Sequence, residues 1–405
     1  MSVDLTAAFG QAIARAELGV SARGLDVKVR FVSDEERIDL LISSDSCRLV
    51  TSTGGADITV RTSNAEWGRI LASLPPPRYN CFTALQIKND AVDVSGAPLI
   101  IAQSRAALER IFEGLREPLA YEEVSRHRDV RQICGRYAPV VADGVSTDIY
   151  FEEAGSGPPV VLLHTAGADS RQYTRLLADT ALAKHFRMIA FDMPGHGRSF
   201  PSFEAMRSVH NLTQAGYVAV VDAFISSIIG EPVLLTGCSM GAAISLALAA
   251  ERPELLRGVI ALEPPLKSPG RSNPYLVDVR VANGSHNSAY VAGLMCPSGP
   301  SEERARAEWI YAQAAPGIYS GDLTFYSEEF DGFAVGPRIE TSRVPVHLMT
   351  GEYDYSATPA DGERLSRLIP GSSFEQMSGL GHFPMTENPD AFIPRFAAAL
   401  ARFLQ

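Results

Sequence analysis

One serine has the setting of a nucleophile. Gly237-Cys238-Ser239-Met240-Gly241 fits the pattern G-x-S-x-G, with the apolar run PVLLT before it and AAISLALAA after it. A strand that turns sharply into a helix lifts a serine hydroxyl above the sheet edge, and flanking glycines let neighbouring chains approach. The same turn puts Ser239 at a helix N-terminus, where backbone N–H groups face a developing negative charge. A serine hydroxyl is a weak nucleophile at neutral pH and needs a positioned base with a third group behind it.

Eight histidines are available as that base. His347 lies inside the apolar run VHLMTG and reads as a packed residue. His185 sits beside Lys184 on a polar connection, and His127, His210 and His286 lie outside any catalytic turn and read as surface or structural residues. His382 stands in SGLGHFP, a glycine-rich turn between the run SFEQMS and the final helical stretch. It is the expected base. The acid should follow a strand between serine and histidine. Asp354, in TGEYDYSATP, does so and is preferred, with Glu263 at the end of GVIALE as the alternative; Glu352 reads as a turn residue. Asp192 and His196, in DMPGHGRS, read as parts of a tight loop that braces the elbow.

The elements that must position these residues follow from the pattern. PVVLLH (159–164), RMIAFD (187–192), PVLLTG (232–237), GVIALE (258–263) and VHLMTG (346–351) are continuous apolar runs separated by helical stretches. Such runs indicate a parallel sheet covered on both faces, an α/β architecture expected over residues 140–405. About 80 residues separate GVIALE from VHLMTG, far more than one crossover helix needs. An excursion there, at about 265–342, reads as a lid over the C-terminal strand ends. Residues 1–120 have a different grammar. LDVKVRFV, RIDLLISS, CRLVTST and DITVRTS alternate at period two between helical stretches, which predicts a small α+β domain built on an antiparallel meander. Ser63 or Asn64 is placed to cap the helix containing Trp67. The charge-dense stretch 121–139 reads as a connector.

Composition narrows the class. The chain has 405 residues, 46% hydrophobic and 20% charged, so it can bury a sizeable core. Its net charge of −11 gives no general pull towards nucleic acid or anionic lipid. The five cysteines are odd in number and scattered, without a C-x-x-C or Cys/His cluster, so neither a disulfide framework nor a zinc site is indicated. Pro232–Ala250 is uncharged over nearly the length of a membrane span, but Thr236-Gly237-Cys238-Ser239 breaks it into strand, turn and helix. With no leader pattern at MSVDLTAAFG, a cytoplasmic location is expected.

Together these residues resemble the α/β-hydrolase fold superfamily, in the lid-bearing branch of esterases, enol-lactonases and carbon–carbon bond hydrolases. The order Ser239, Asp354, His382 is the family's order, and D-M-P-G-H-G-R-S matches its loop after the second apolar strand. The resemblance implies Ser239 as nucleophile, His382 as base and Asp354 as its partner, with the N–H groups of Ala166 and Met240 as the oxyanion hole. Two positions depart from it. Thr165 stands where the family has glycine after His164, and Cys238 stands where hydrolases of ring-cleavage dienoates carry asparagine. The N-terminal segment resembles a sterol-carrier-type domain through ADITVRTSNAEWGRIL, ALQIKNDAVDVSG and SRAALERIF, or else serves docking or homodimerisation. The expected activity is hydrolysis of a small hydrophobic ester or lactone through an acyl-enzyme, with no metal or organic cofactor. The alternatives are a carbon–carbon hydrolase of β-diketones or vinylogous diketones, and a ligand-binding protein without catalysis.

Overall fold

A computed structural model describes residues 3–16, 18–44, 46–51, 54–117, 128–208, 210 and 212–404. Alternating burial along the N-terminal strands builds the smaller of two sheets. Its strands are β1 (Asp26–Val32), β2 (Arg37–Ser43), β3 (Cys47–Val50), β4 (Ile58–Arg61) and β5 (Asp93–Gly96), in the order β3-β2-β1-β4-β5. The pairing corrects the expected meander. β1–β2, β2–β3 and β4–β5 are antiparallel, but β4 crosses over and pairs parallel with β1, Val29 opposite Ile58 and Phe31 opposite Val60. Burial accounts for the choice: Ile58 and Val60 are fully buried beside β1, whereas β3 is only half-buried. The core beneath this sheet stacks Phe9 on Phe31 at 4.0 Å, with Trp67 edge-on to both. Ser63 caps the helix Asn64–Ile70 by accepting from the Glu66 N–H at 3.3 Å.

The larger sheet has eight strands: β6 (Cys134–Ala142), β7 (Val145–Ala154), β8 (Pro159–Leu163), β9 (Arg187–Phe191), β10 (Val233–Cys238), β11 (Leu256–Leu262), β12 (Val346–Gly351) and β13 (Ser373–Met377). Their order is β13-β12-β11-β10-β8-β9-β7-β6, parallel from β13 to β9 and antiparallel over β7 and β6. β8, β10 and β12 are buried at every position, as expected of strands covered on both faces. β6 begins at Cys134, inside the stretch expected to be connector. As a mostly exposed edge strand it presents no continuous apolar run to read. Residues 121–127 of the expected connector, and 118–120 before it, lie outside the described residues.

Between β11 and β12 the chain forms an insertion with helices Asn283–Ala292, Ser301–Ala312, Ile318–Thr324 and Gly332–Val335. The N-terminal unit packs on it. Asn80 donates to the carbonyls of Gly293 (3.0 Å) and Met295 (3.4 Å), Arg105 lies over the Tyr290 ring at 5.4 Å, and Arg110 pairs with Glu308. Gly293 fits against Cys81 so closely that an added Cβ would fall 1.8 Å from its Sγ. The same unit reaches the large sheet where Tyr353 donates to the Pro75 carbonyl at 2.8 Å. Among the described residues, no helix is long and apolar enough to cross a membrane. The uncharged stretch 232–250 is β10 followed by the helix Met240–Glu251.

Candidate active site

β10 ends at Cys238 and the next helix begins at Met240, so the whole reversal falls on Ser239. Its φ of +56° and ψ of −112° lie in a region L-residues avoid, a strain of about 1–3 kcal/mol. Two main-chain bonds hold it there: Ser239 N–H donates to the Leu262 carbonyl at 2.9 Å, and its carbonyl accepts from Ala243 N–H at 3.0 Å. Both glycines of the motif are sterically required. A Cβ on Gly237 would lie 2.0 Å from the Gly241 carbonyl oxygen, and one on Gly241 would lie 2.4 Å from that of Leu163.

His382 arrives from the turn after β13, fixed by its N–H to the Leu294 carbonyl of the insertion at 2.9 Å. Its Nε2 is 2.9 Å from Ser239 Oγ and its Nδ1 2.5 Å from Asp354 Oδ2. A carboxylate at Nδ1 places the ring hydrogen there and leaves Nε2 to accept the serine hydroxyl hydrogen. Asp354 is fixed in turn by the N–H groups of Ser356 (2.7 Å) and Ala357 (3.0 Å) on Oδ1. Ser239 and Asp354 are 3% exposed and His382 4%, so water scarcely dilutes these interactions.

Glu263, the alternative acid, takes a different place. Fully buried at the end of β11, it accepts the Gly351 N–H on both oxygens (3.0 and 2.9 Å). Burial, and then repulsion from Asp354, hold its carboxyl well above the usual range. It stands beside Asp354, an oxygen of each lying within 4.8 Å of the other. The geometry thus brings Asp354 to the histidine and sets Glu263 as its neighbour.

Ala166 follows β8 and Met240 opens the helix after Ser239. Neither backbone N–H has a protein acceptor among the described residues. Thr165 uses its hydroxyl on Gln172 Oε1 (3.1 Å) and the Tyr311 hydroxyl (2.5 Å), so the substitution for glycine ties this turn to the insertion. Cys238 is buried, its thiol donating to the His382 carbonyl at 3.2 Å and its acidity suppressed by burial.

A second polar cluster was not foreseen. Asp322, buried in the insertion helix Ile318–Thr324, accepts from the Gly167 N–H at 2.7 Å, His196 Nε2 at 2.7 Å, His210 Nε2 at 2.9 Å and the Tyr217 hydroxyl. Burial alone would raise its carboxyl; the charge of His196 and the bonds from both histidines overcome that and hold it far below the usual range. Burial acts on His196 in the opposite sense, and Asp322 prevails, raising that imidazole. The loop around Asp192 is a brace: its carboxylate accepts from Ser170 N–H (2.7 Å) and Arg198 N–H (2.8 Å). His164, lowered to about 4 by burial and then by His196, stays neutral and accepts the Met193 N–H at 3.1 Å. The remaining histidines stand apart. His347 contacts Ser373 Oγ at 2.7 Å within the sheet, His286 stacks near Tyr290, His185 is exposed, and His127 lies outside the described residues.

Glu387 was also missed. It holds the histidine turn through the N–H groups of Gly381 (2.6 Å), Cys296 (3.1 Å) and Phe383 (3.2 Å), and burial pushes it up to about 7 against those three bonds. For a metal, two groups among the described residues place three ligand-type atoms within 4.8 Å of one another: His196, His210 and Asp322, and Glu263, Asp354 and His382. In each, the contacts above already engage those side chains.

The model of the Alpha/beta hydrolase family matches residues 160–395, which takes in β10, the serine turn, Asp354 and His382. The chain belongs to the alpha/beta hydrolase family. Among curated relatives, a zearalenone hydrolase of Cladophialophora bantiana is 25% identical over 281 residues, covering 65% of this chain and 95% of that one. Among solved structures, the enol-lactonase of Burkholderia xenovorans superposes with a TM-score of 0.54 at 20% identity, over 66% of this chain and 99% of that one. A thermophilic esterase of Thermogutta terrifontis gives the same figures. These likenesses place the larger unit in the alpha/beta hydrolase fold, and family and relatives together support a hydrolase.

Proposed function

We propose that the chain is a serine hydrolase that cleaves a carboxylic ester or lactone through an acyl-enzyme. The observation that carries this reading is one line of contacts, Ser239 Oγ to His382 Nε2 at 2.9 Å and His382 Nδ1 to Asp354 at 2.5 Å. His382 takes the hydroxyl hydrogen as Ser239 Oγ attacks the carbonyl carbon. Asp354 stabilises the resulting imidazolium. The oxyanion of the tetrahedral intermediate goes to the free N–H groups of Ala166 and Met240. His382 then protonates the departing alkoxide, leaving an acyl group on Ser239. Water, deprotonated by the same nitrogen, releases the acid and restores the serine. In this reading the insertion is the lid, and the N-terminal unit is a separate domain that supports it. The likeness to an enol-lactonase and an esterase favours an acyl carbon as the point of attack.

The test is a burst assay with short and medium 4-nitrophenyl esters. The native protein should release a stoichiometric burst, and Ser239→Ala should abolish it and lower kcat by at least about 10⁴-fold. No burst, together with no labelling of Ser239 by a fluorophosphonate, would overturn the proposal.

A further inference from the structure

The insertion buries an arginine with no anion beside it. Arg271, in the loop after β11, is 2% exposed and forms no ion pair among the described residues. Its Nε and Nη1 have no hydrogen-bond partner, and Nη2 makes one long contact, 3.3 Å, to the Tyr319 hydroxyl. The single hydrogen on Nε and the two on Nη1 therefore have no acceptor. The guanidinium lies over the Tyr290 ring at 4.7 Å and 6.0 Å from the Tyr355 ring, whose buried hydroxyl is also unpartnered. The other buried arginine among the described residues differs. Arg105 donates to Thr83 and Gln86 and lies in the field of Glu109. A guanidinium cannot shed its proton, so its burial without an anion is strongly unfavourable.

The residues around Arg271 are fastened to the site below. Tyr319 packs on Gly167 so tightly that a Cβ there would meet its ring at 2.6 Å, and Gly167 directly follows Ala166. Tyr355 directly follows Asp354. Tyr326, also in the field of Arg271, contacts Ser356 Oγ at 3.2 Å, and Ser356 N–H is one of the two donors to Asp354. Unpaired guanidinium N–H groups walled by tyrosines that adjoin the Ala166 turn and the Asp354 loop have the form of an anion receptor.

We propose that Arg271 receives a carboxylate carried by the substrate, so that the protein acts on an acidic ester or lactone rather than on a neutral apolar one. One fully buried fixed charge matches a monoanion; a phosphate monoester brings nearly two. Each guanidinium edge pairs Nη2, which has two hydrogens and spends one on Tyr319, with the unpartnered Nε or Nη1, so one edge can still present two N–H groups to both oxygens of a carboxylate. The inference rests on the serine-hydrolase reading for what happens to the ligand, but not for its binding.

The test compares mono-(4-nitrophenyl) glutarate with 4-nitrophenyl hexanoate, chains of similar length that differ in the terminal charge. The native protein should favour the acid in kcat/KM, and Arg271→Met should lower the acid-to-neutral ratio about 100-fold. Arg271→Lys should restore part of that preference. Because the Met variant also removes an uncompensated buried charge, its melting temperature should rise; a purely structural arginine would lower it. Binding of the same two esters to Ser239→Ala, followed by calorimetry, separates this inference from the catalytic reading. Tighter binding of the acid, lost on adding Arg271→Met, supports the receptor even if no ester is turned over. Equal binding of the two esters, or an equal loss for both in the Met variant, would overturn it.

Discussion

On the sheet side of the site, position is set by main chain. Ser239 is held in its turn by two backbone bonds and by two glycines that admit no side chain, and Asp354 by two backbone N–H groups. On the side of the insertion, position is set by charged and polar side chains. Asp322 gathers two histidines, a tyrosine and the Gly167 N–H, and Arg175 pairs with Glu303. The floor is thus fixed by geometry that many sequences can supply. The cover depends on single residues, so it can be retuned, or lost, by single changes.

The sharpest way to break this contrast lies on the floor. Asp354→Asn should lower kcat by about 10⁴-fold, because the amide no longer fixes the histidine tautomer. Glu263→Gln, which keeps an acceptor for Gly351, should cost less than about tenfold. Steady-state kinetics on one ester decide it: comparable losses would make Glu263 an equal partner of the histidine. On the cover, Asp322→Ala leaves two imidazoles and the Gly167 N–H without their acceptor. Urea denaturation should show a loss of about 3–5 kcal/mol. A loss below about 1 kcal/mol would mean that apolar packing holds the insertion, and the contrast would fail.

The smallest effect sits where the two regions meet. The Glu387 carboxyl titrates at about 7 in the folded chain against 4.5 for an unperturbed group. The folded state therefore binds the extra proton between those values. Its stabilising contribution is complete below about pH 4.5 and is lost as pH rises to about 7, some ~3 kcal/mol in all. Denaturation midpoints at about pH 5 and pH 8 should differ accordingly, and Glu387→Gln should flatten the difference. An unchanged slope in that variant would remove Glu387 from the account.

What was legible follows the same division. The serine turn, the histidine turn and the acid loop could be read because strand ends, glycines and chain order leave marks in the sequence. The insertion could be read from a gap in the rhythm of strands. Asp322, in IYSGDLTFY, looks like any polar residue on an amphipathic helix, and Arg271, in SPGRSNP, like a loop arginine. Their burial is decided by what packs on them from distant parts of the chain, which periodicity does not encode. The crossover of β4 escaped for a related reason, since alternation marks a strand but not its neighbour. His210 reads as a surface or structural residue because its partner, Asp322, stands more than a hundred positions later.

Gly293 has been shaped to a thiol that belongs to another part of the chain. For anyone reshaping this protein, that contact decides which segments must travel together. A graft of the insertion onto a related hydrolase carries away a socket without its plug. A chain trimmed to the residues its family shares leaves Gly293 facing water where Cys81 had been. Variation of substrate preference is better sought by changing the insertion and the N-terminal segment as a pair, with the sheet left as the common chassis.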